Sequence, residues 1–386
     1  MKRVNICGLV AAVTIASLGY GQSGSRILRE GEYWTETITG SLQAADATKL
    51  RVAIRGGVVV RGASIGQVQV VYRKRVRARD SGQARKLLDS QQLRLSRQGE
   101  WANISLVEAG WSLVSGQMEI IVPASLRQSI IETRSGNLNV SGLRGDVEGE
   151  TGGGEIEADR IQGNLVARTG GGSVQVGTIG GSARLVTGGG PIRLTRSGGE
   201  TWIETGGGEI VVGDAGGPLH LSTGAGNIQV TRAAASVSAR TMGGVIKVLE
   251  AGGTVDIENA GGGIQVGQAS SIRCESMAGG IRLLGVSGEL SATTAVGDIL
   301  AELLRGHNLR NSYLSTSSGD VTVTIPSNLA VTVRALNESA GRMRRIVSDF
   351  PEIRVDASGA SGQLNGGGPL LKIAAQNGTI YLRRQR

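Results

Sequence analysis

Thr151 to Gly177 reads TGGGEIEADRIQGNLVARTGGGSVQVG and states one pattern one and a half times. TGGG stands at Thr151 and returns at Thr169, Thr187 and Thr205. Aligning the last glycine of each copy gives Gly136, Gly154, Gly172, Gly190, Gly208, Gly226, Gly244 and Gly262, a step of 18 residues each time. An apolar–x–apolar pair follows each one, as in Val174/Val176, Ile192/Leu194, Ile210/Val212 and Ile228/Val230. A second pair lies nine residues further on, as in Leu165/Ala167, Ala183/Leu185 and Leu219/Leu221. The register slips by one at Ile281/Leu283, recovers at Ile299/Ala301 and reaches Val321/Val323 after an insertion around Gly306–Arg310.

Alternation with period two marks short strands with one face inward, and no helical period fits between them. A fixed repeat of this length marks a solenoid, because one coil alone cannot bury its apolar face. The predicted fold is all-β: a right-handed parallel β-helix of 18-residue coils, the hand following from crossover chirality. Inward columns hold Ile, Val, Leu and Ala; the column Ile161, Ile179, Ser197, Ala215, Ala233, Ala251, Ala269 stays small at a corner. The column from Thr151 to Thr241, continued by Asn259, Ser276 and Thr294, shares the inward parity, and its hydroxyls are expected to bond backbone groups at the turns. Outward columns vary, as in Val166, Arg184, Trp202, His220, Ser238, Asp256 and Arg273.

The chain has 386 residues with 63 glycines and 3% aromatics, yet 39% hydrophobic residues exclude wholesale disorder. MKRVNICGLVAAVTIASLGYGQS, residues 1–22 with the following serine, carries Lys2 and Arg3 before a short apolar run and reads as a secretory signal peptide. The expected mature protein is exported, to periplasm, cell surface or medium, with no transmembrane segment. Its one remaining cysteine, Cys274, falls in an inward column and reads as a buried apolar side chain.

Residues 23–130 form an N-terminal strand and helix cap in this reading, 131–325 the repeat array, and 326–386 the C-terminal coils and cap. KLRVAIRGGVVVRG, GQVQVVYRKRVRA, WANISLVEAG and GQMEIIVPASL read as strands. DSGQARKLLDSQQLRL reads as a short amphipathic helix capped by Asp80 or Ser81, with Ala84, Leu87, Leu88 and Gln91 on one face.

The order of segments is MEIIVP leading into TRSGNLNV, repeated TGxGxIxV coils, then SDFP and NGGGP with NGTIYL. In that order the chain resembles the bacterial DUF4097 "putative adhesin" family of exported β-helix proteins. The resemblance covers nearly the whole mature chain and implies fold, export and adhesion; it carries no binding residues across.

Net charge is +9, with basic residues concentrated between Tyr72 and Arg97 and added to by Arg342, Arg344, Arg345, Arg383, Arg384 and Arg386. Arg73, Lys74, Arg75, Arg77 and Arg79 form the candidate binding patch. Its expected partners are anionic polysaccharide, lipopolysaccharide or a cell-surface protein. Nucleic acid is disfavoured by the exported reading and by the lack of interleaved aromatics. No cofactor or metal is expected: TGGG opens no helix and precedes no Gly-Lys-Ser/Thr. Asp214, Asp256, Asp298 and Asp320 are expected to form no calcium ladder. The primary reading is a non-enzymatic adhesin or envelope scaffold. The alternative is a polysaccharide-active enzyme using Asp256, Glu258 and Glu275, which adjacent coils would bring together. Arg240–Glu258 and Asp256–Arg273 read equally as cross-strand charge pairs. His220 and His307 are isolated in sequence, and His220 neighbours Trp202 and Arg184 in a possible sugar-stacking column.

Overall fold

A computed structural model describes residues 26–43, 47–108, 114–304, 309–337, 345–356 and 359–385. The segment read as a signal peptide, with Cys7, and Arg342, Arg344, Arg386, His307 and most of the Gly306–Arg310 insertion lie outside these residues.

The chain is all-β apart from one helix among the described residues, and its strands form two long sheets laid face to face along the solenoid. Within the array every lateral pairing is parallel, and the repeat register holds but for a shift between Leu284 and Val286. Ile156 pairs with Val174, Val174 with Ile192 and Ile192 with Ile210 in the first sheet. Leu165 pairs with Ala183, Ala183 with Thr201 and Thr201 with Leu219 in the second. The apolar pairs of both sheets point inward and form one continuous core, including the small corner column from Ile161 to Ala269 and Cys274. Burial thus follows the period-two alternation on every coil, which removes each inner face from water only because a neighbouring coil covers it.

The last glycine of each turn is required by stacking. A Cβ on Gly172 would meet the Gly154 carbonyl oxygen at 2.0 Å, and one on Gly190 would meet that of Gly172 at 2.2 Å. The middle glycine differs: a Cβ on Gly171 would meet nothing within 4 Å. Ala225 already occupies that column in a later coil.

The expected helix forms over Ser81–Asp89, with the Asp80 side chain accepting from the Gln83 N–H at 2.8 Å. It ends earlier than the sequence reading placed it. Gln91–Gln98 is a strand antiparallel to Trp101–Glu108, because Gln91 and Leu93 alternate inward there.

Both ends depart from simple stacking of consecutive coils. The coil of Lys49–Ile54 and Gly57–Ala63 is held between that of Trp101–Glu108 and Ser115–Pro123 and that of Gln128–Thr133 and Leu138–Ser141. At the other end Leu370–Asn377 lies between Ser312–Ser318 and Val331–Asn337, and Ile380–Arg384 between Val321–Ile325 and Ile346–Ser348. Antiparallel strands close each end: Gln67–Arg77 with Tyr33–Gln43, and Gly359–Leu364 with Arg354–Asp356. Three of the outermost strands, Leu28–Glu30, Ile346–Ser348 and Arg354–Asp356, have 3 residues each, short edges that offer little to an incoming strand, whereas Gln91–Gln98, paired on one side only, is an edge of 8 residues.

Candidate functional site

Strand Gln67–Arg77 continues the alternation of Val68, Val70 and Tyr72 through its basic half, so Arg73, Arg75 and Arg77 face outward and Lys74 faces inward. Lys74 therefore leaves the predicted basic patch. Only 2% exposed, it ion-pairs with Glu36 at 2.7 Å and donates to the carbonyl oxygens of Leu88 (2.8 Å) and Gln91 (3.1 Å). Beside it the Tyr72 hydroxyl bonds to Gln91 Oε1 at 2.8 Å, and Gln91 Nε2 donates to Glu108 at 2.8 Å. Burial, with the Glu108 charge second, pushes the Tyr72 hydroxyl pKa far up. This polar knot ties the helix end to the cap strands, and each member is paired as buried charge requires.

The arginines split further. Arg73 and Arg75 line a groove of about 870 Å³ between the N-terminal cap and the first coils. Arg75 Nε donates to Ser115 Oγ at 3.1 Å, and its guanidinium sits 5.2 Å from the Tyr33 ring centroid. Arg77 covers the same ring at 4.9 Å and pairs with Glu32 at 3.1 Å. Arg79 lies beyond the strand, exposed at the helix entrance, where its N–H donates to Gln83 Oε1. Glu155 and Glu157 on the far wall of the groove already accept hydrogen bonds, Glu155 from Ser173 (2.7 Å) and Gln175 (2.6 Å), Glu157 from Asn139 (2.5 Å). Arg73 forms no ion pair among the described residues.

The second sheet carries another groove, of about 1150 Å³, running along the turns that follow the threonine column. It brings Glu258 and Glu275 together on paired strands and leaves Asp256 outside, opposite Arg273. Lateral neighbours in a sheet lie about 4.8 Å apart, near the separation of carboxylates in retaining glycosidases. Glu258 is nevertheless held by Arg240 at 3.0 Å, with both side chains more than half exposed. The geometry is that of a surface charge pair.

Met242 and Met277 in this groove escaped the sequence reading. They stand where earlier coils have Gly188, Gly206 and Gly224, so the departures from TGGG were the signal that pointed to them.

Trp202 and His220 stack with ring centroids 4.2 Å apart. Arg184 approaches the Trp202 ring from the coil before, 5.9 Å from its centroid. Glu200 accepts from Trp202 Nε1 at 3.1 Å and lies 3.3 Å from His220 Nε2. The ring is thus flanked by its own neighbours along the column, yet Trp202 stays 47% exposed. Cys274 is free and fully buried, and burial, with the Asp256 charge second, pushes its thiol pKa far up.

Two of the four aspartates are stacked on neighbouring coils. Asp298 and Asp320 do share a column: Asp298 Oδ1 accepts from the Asp320 N–H and Asp320 Oδ1 from the Thr379 N–H, both at 2.7 Å. Each carboxylate caps the backbone of the next coil, which is a structural use of the side chain. Among the described residues no three His, Cys, Asp or Glu gather as a metal site would require, and no helix is long and apolar enough to cross a membrane.

No curated protein matches the chain. Among solved structures it is similar to a "putative cell adhesion protein" from Clostridium sporogenes ATCC 15579, at 9% identity over 91% of this chain and 100% of that one, with a TM-score of 0.21. A "putative adhesin" from Parabacteroides distasonis ATCC 8503 is similar at 13% identity over 69% of this chain and 94% of that one, with a TM-score of 0.24. The family model of Toastrack DUF4097 matches residues 57–380, from the strand Gly57–Ala63 to the start of the last strand, Ile380–Arg384. A match over that much of the chain, with the stacked parallel coils it spans, identifies this protein as a member of the Toastrack DUF4097 family.

Proposed function

We propose that this chain is a non-enzymatic, exported adhesin-like module of the cell envelope, a right-handed solenoid of 18-residue coils that presents an anion-binding groove at its N-terminal end. The observation that carries this reading is the pair Arg73 and Arg75 on one wall of the 870 Å³ groove. Arg73 forms no ion pair among the described residues, so its guanidinium is open to an incoming anion, while Glu30, Glu155 and Glu157 of the same groove keep their charges and restrict where the anionic groups of a ligand can sit. Planar guanidinium groups suit carboxylate and phosphate, which favours acidic polysaccharide or lipopolysaccharide as the ligand. The Toastrack family membership and the adhesin descriptions of the similar structures agree with such a role. The register of Ile156 with Val174 and Val174 with Ile192 supports the coil length.

Titrating purified protein with polygalacturonate and with lipopolysaccharide tests the reading. Binding that weakens with salt, is lost in Arg73→Glu/Arg75→Glu and occurs without glycan turnover supports it. Turnover abolished by Glu258→Gln, or binding indifferent to the double arginine variant, overturns it.

A further inference from the structure

The groove along the second sheet is acidic and apolar at once. On a chain of net charge +9, its charged lining is Glu204, Arg240, Glu258 and Glu275, with Arg240 committed to Glu258. Neither Glu204 nor Glu275 forms an ion pair among the described residues. Its apolar lining includes two side chains that water should disfavour: Met242 is 71% exposed and Met277 69%. Both replace glycines of the repeat, so this stretch of turns gains apolar surface that the earlier coils lack. Between them Ser276 is only 8% exposed, and its hydroxyl has no hydrogen-bond partner, although Thr223 and Thr241 of the same column each bond a glycine carbonyl.

The groove extends from strand Ala183–Thr187 to strand Ser312–Ser318, seven lateral pairings away. At about 4.8 Å per pairing it is about 34 Å long, room for about ten residues of extended polypeptide. No aromatic ring lines it, so it lacks the stacking platform a glycan would use. Methionine thioethers instead offer an adaptable apolar bed for varied side chains.

We propose that this groove is a docking site for a cationic polypeptide segment bearing apolar side chains, held lengthwise with its basic groups on Glu204 and Glu275 and its apolar groups on Met242 and Met277. It is separate from the arginine groove, so one molecule joins an anionic ligand at its end to a cationic peptide on its flank.

The probe is a fluorescein-labelled ten-residue peptide of alternating Lys and Leu, followed by fluorescence anisotropy with the full chain. Saturable binding that weakens as salt rises is expected, with no binding of the alternating Glu and Leu peptide. Glu204→Gln/Glu275→Gln should weaken affinity about tenfold. Met242→Gly/Met277→Gly, which restores the glycines of the repeat, should weaken it at least as much while thermal unfolding stays unchanged. Arg73→Glu/Arg75→Glu should leave peptide binding intact, which separates this site from the anion groove. Equal binding of the acidic peptide, or affinity indifferent to both groove variants, overturns the proposal.

Discussion

The Thr205 hydroxyl donates to the Gly190 carbonyl oxygen on the coil before at 2.8 Å and accepts from the Gly208 N–H of its own turn at 3.2 Å. The same double bond recurs at Thr151, Thr169, Thr187, Thr223 and Thr241, and Asn259 repeats it with its amide. A corner turns the backbone away from the sheet ladder, and this side chain restores the partners that the turn removes.

Thr205→Val keeps the shape and deletes both bonds, leaving buried backbone groups unpaired. It should cost about 1–3 kcal/mol by urea denaturation. Thr205→Ser should recover most of the loss; equal stability of the valine variant and the parent would show that the column acts by packing alone.

Adjacent glycines of one turn should separate under the same substitution. Gly172→Ala drives a methyl into the backbone carbonyl of Gly154 and should cost roughly 2–3 kcal/mol, as overpacking does. Gly171→Ala faces open space and should shift the melting temperature little. A reversed order would refute close coil contact as the reason for the last glycine.

Lys74→Met leaves Glu36 buried without its cation and should destabilise by about 3–5 kcal/mol. The double variant Lys74→Met/Glu36→Leu, which removes both charges, should recover much of this. If the single change is silent in calorimetry, the pair contributes nothing to joining the cap to the helix.

Alkaline pH should loosen the fold. Cys274 and Tyr72 hold their protons more tightly folded than unfolded, chiefly through burial. Their contribution is fully present below the ordinary thiol value and declines as pH rises above about 9, by about 1.4 kcal/mol per pH unit for each group that ionises only on unfolding. Urea midpoints should therefore be level near neutrality and fall towards pH 10.5, less steeply in Cys274→Ala. A level profile to pH 10.5 would contradict this burial of the two groups.

Periodicity made the shaft legible. Ile210, Val212 and the small corner from Ile161 to Ala269 lie where a strict repeat places them, because every coil meets the same constraint. Lys74 was legible in principle, since Val68, Val70 and Tyr72 set the parity that buries it, but a run of basic residues in composition reads as surface. Asp298 and Asp320 were hidden by the inserted residues between them, which displace one coil's numbering from the next. The interleaved ends leave no periodic trace at all, because parallel pairing between Ser312–Ser318 and Leu370–Asn377 depends on a return of the chain from far away. The groove methionines matter as exceptions to a pattern, and an exception acquires chemistry only when its neighbours in space are known.

The interleaved ends also define where this architecture can change size. Strand Leu370–Asn377 is wedged inside the stack, and Lys49–Ile54 likewise at the other end, so the coils near both ends are interlocked rather than simply laid on one another. Between them, Thr187 and Thr205 occupy the same position of paired strands. Excising the segment from one to the other joins equivalent backbone points and leaves both wedges untouched. Reach is therefore the adjustable property of this molecule, set by how many interchangeable coils separate two fixed fastenings.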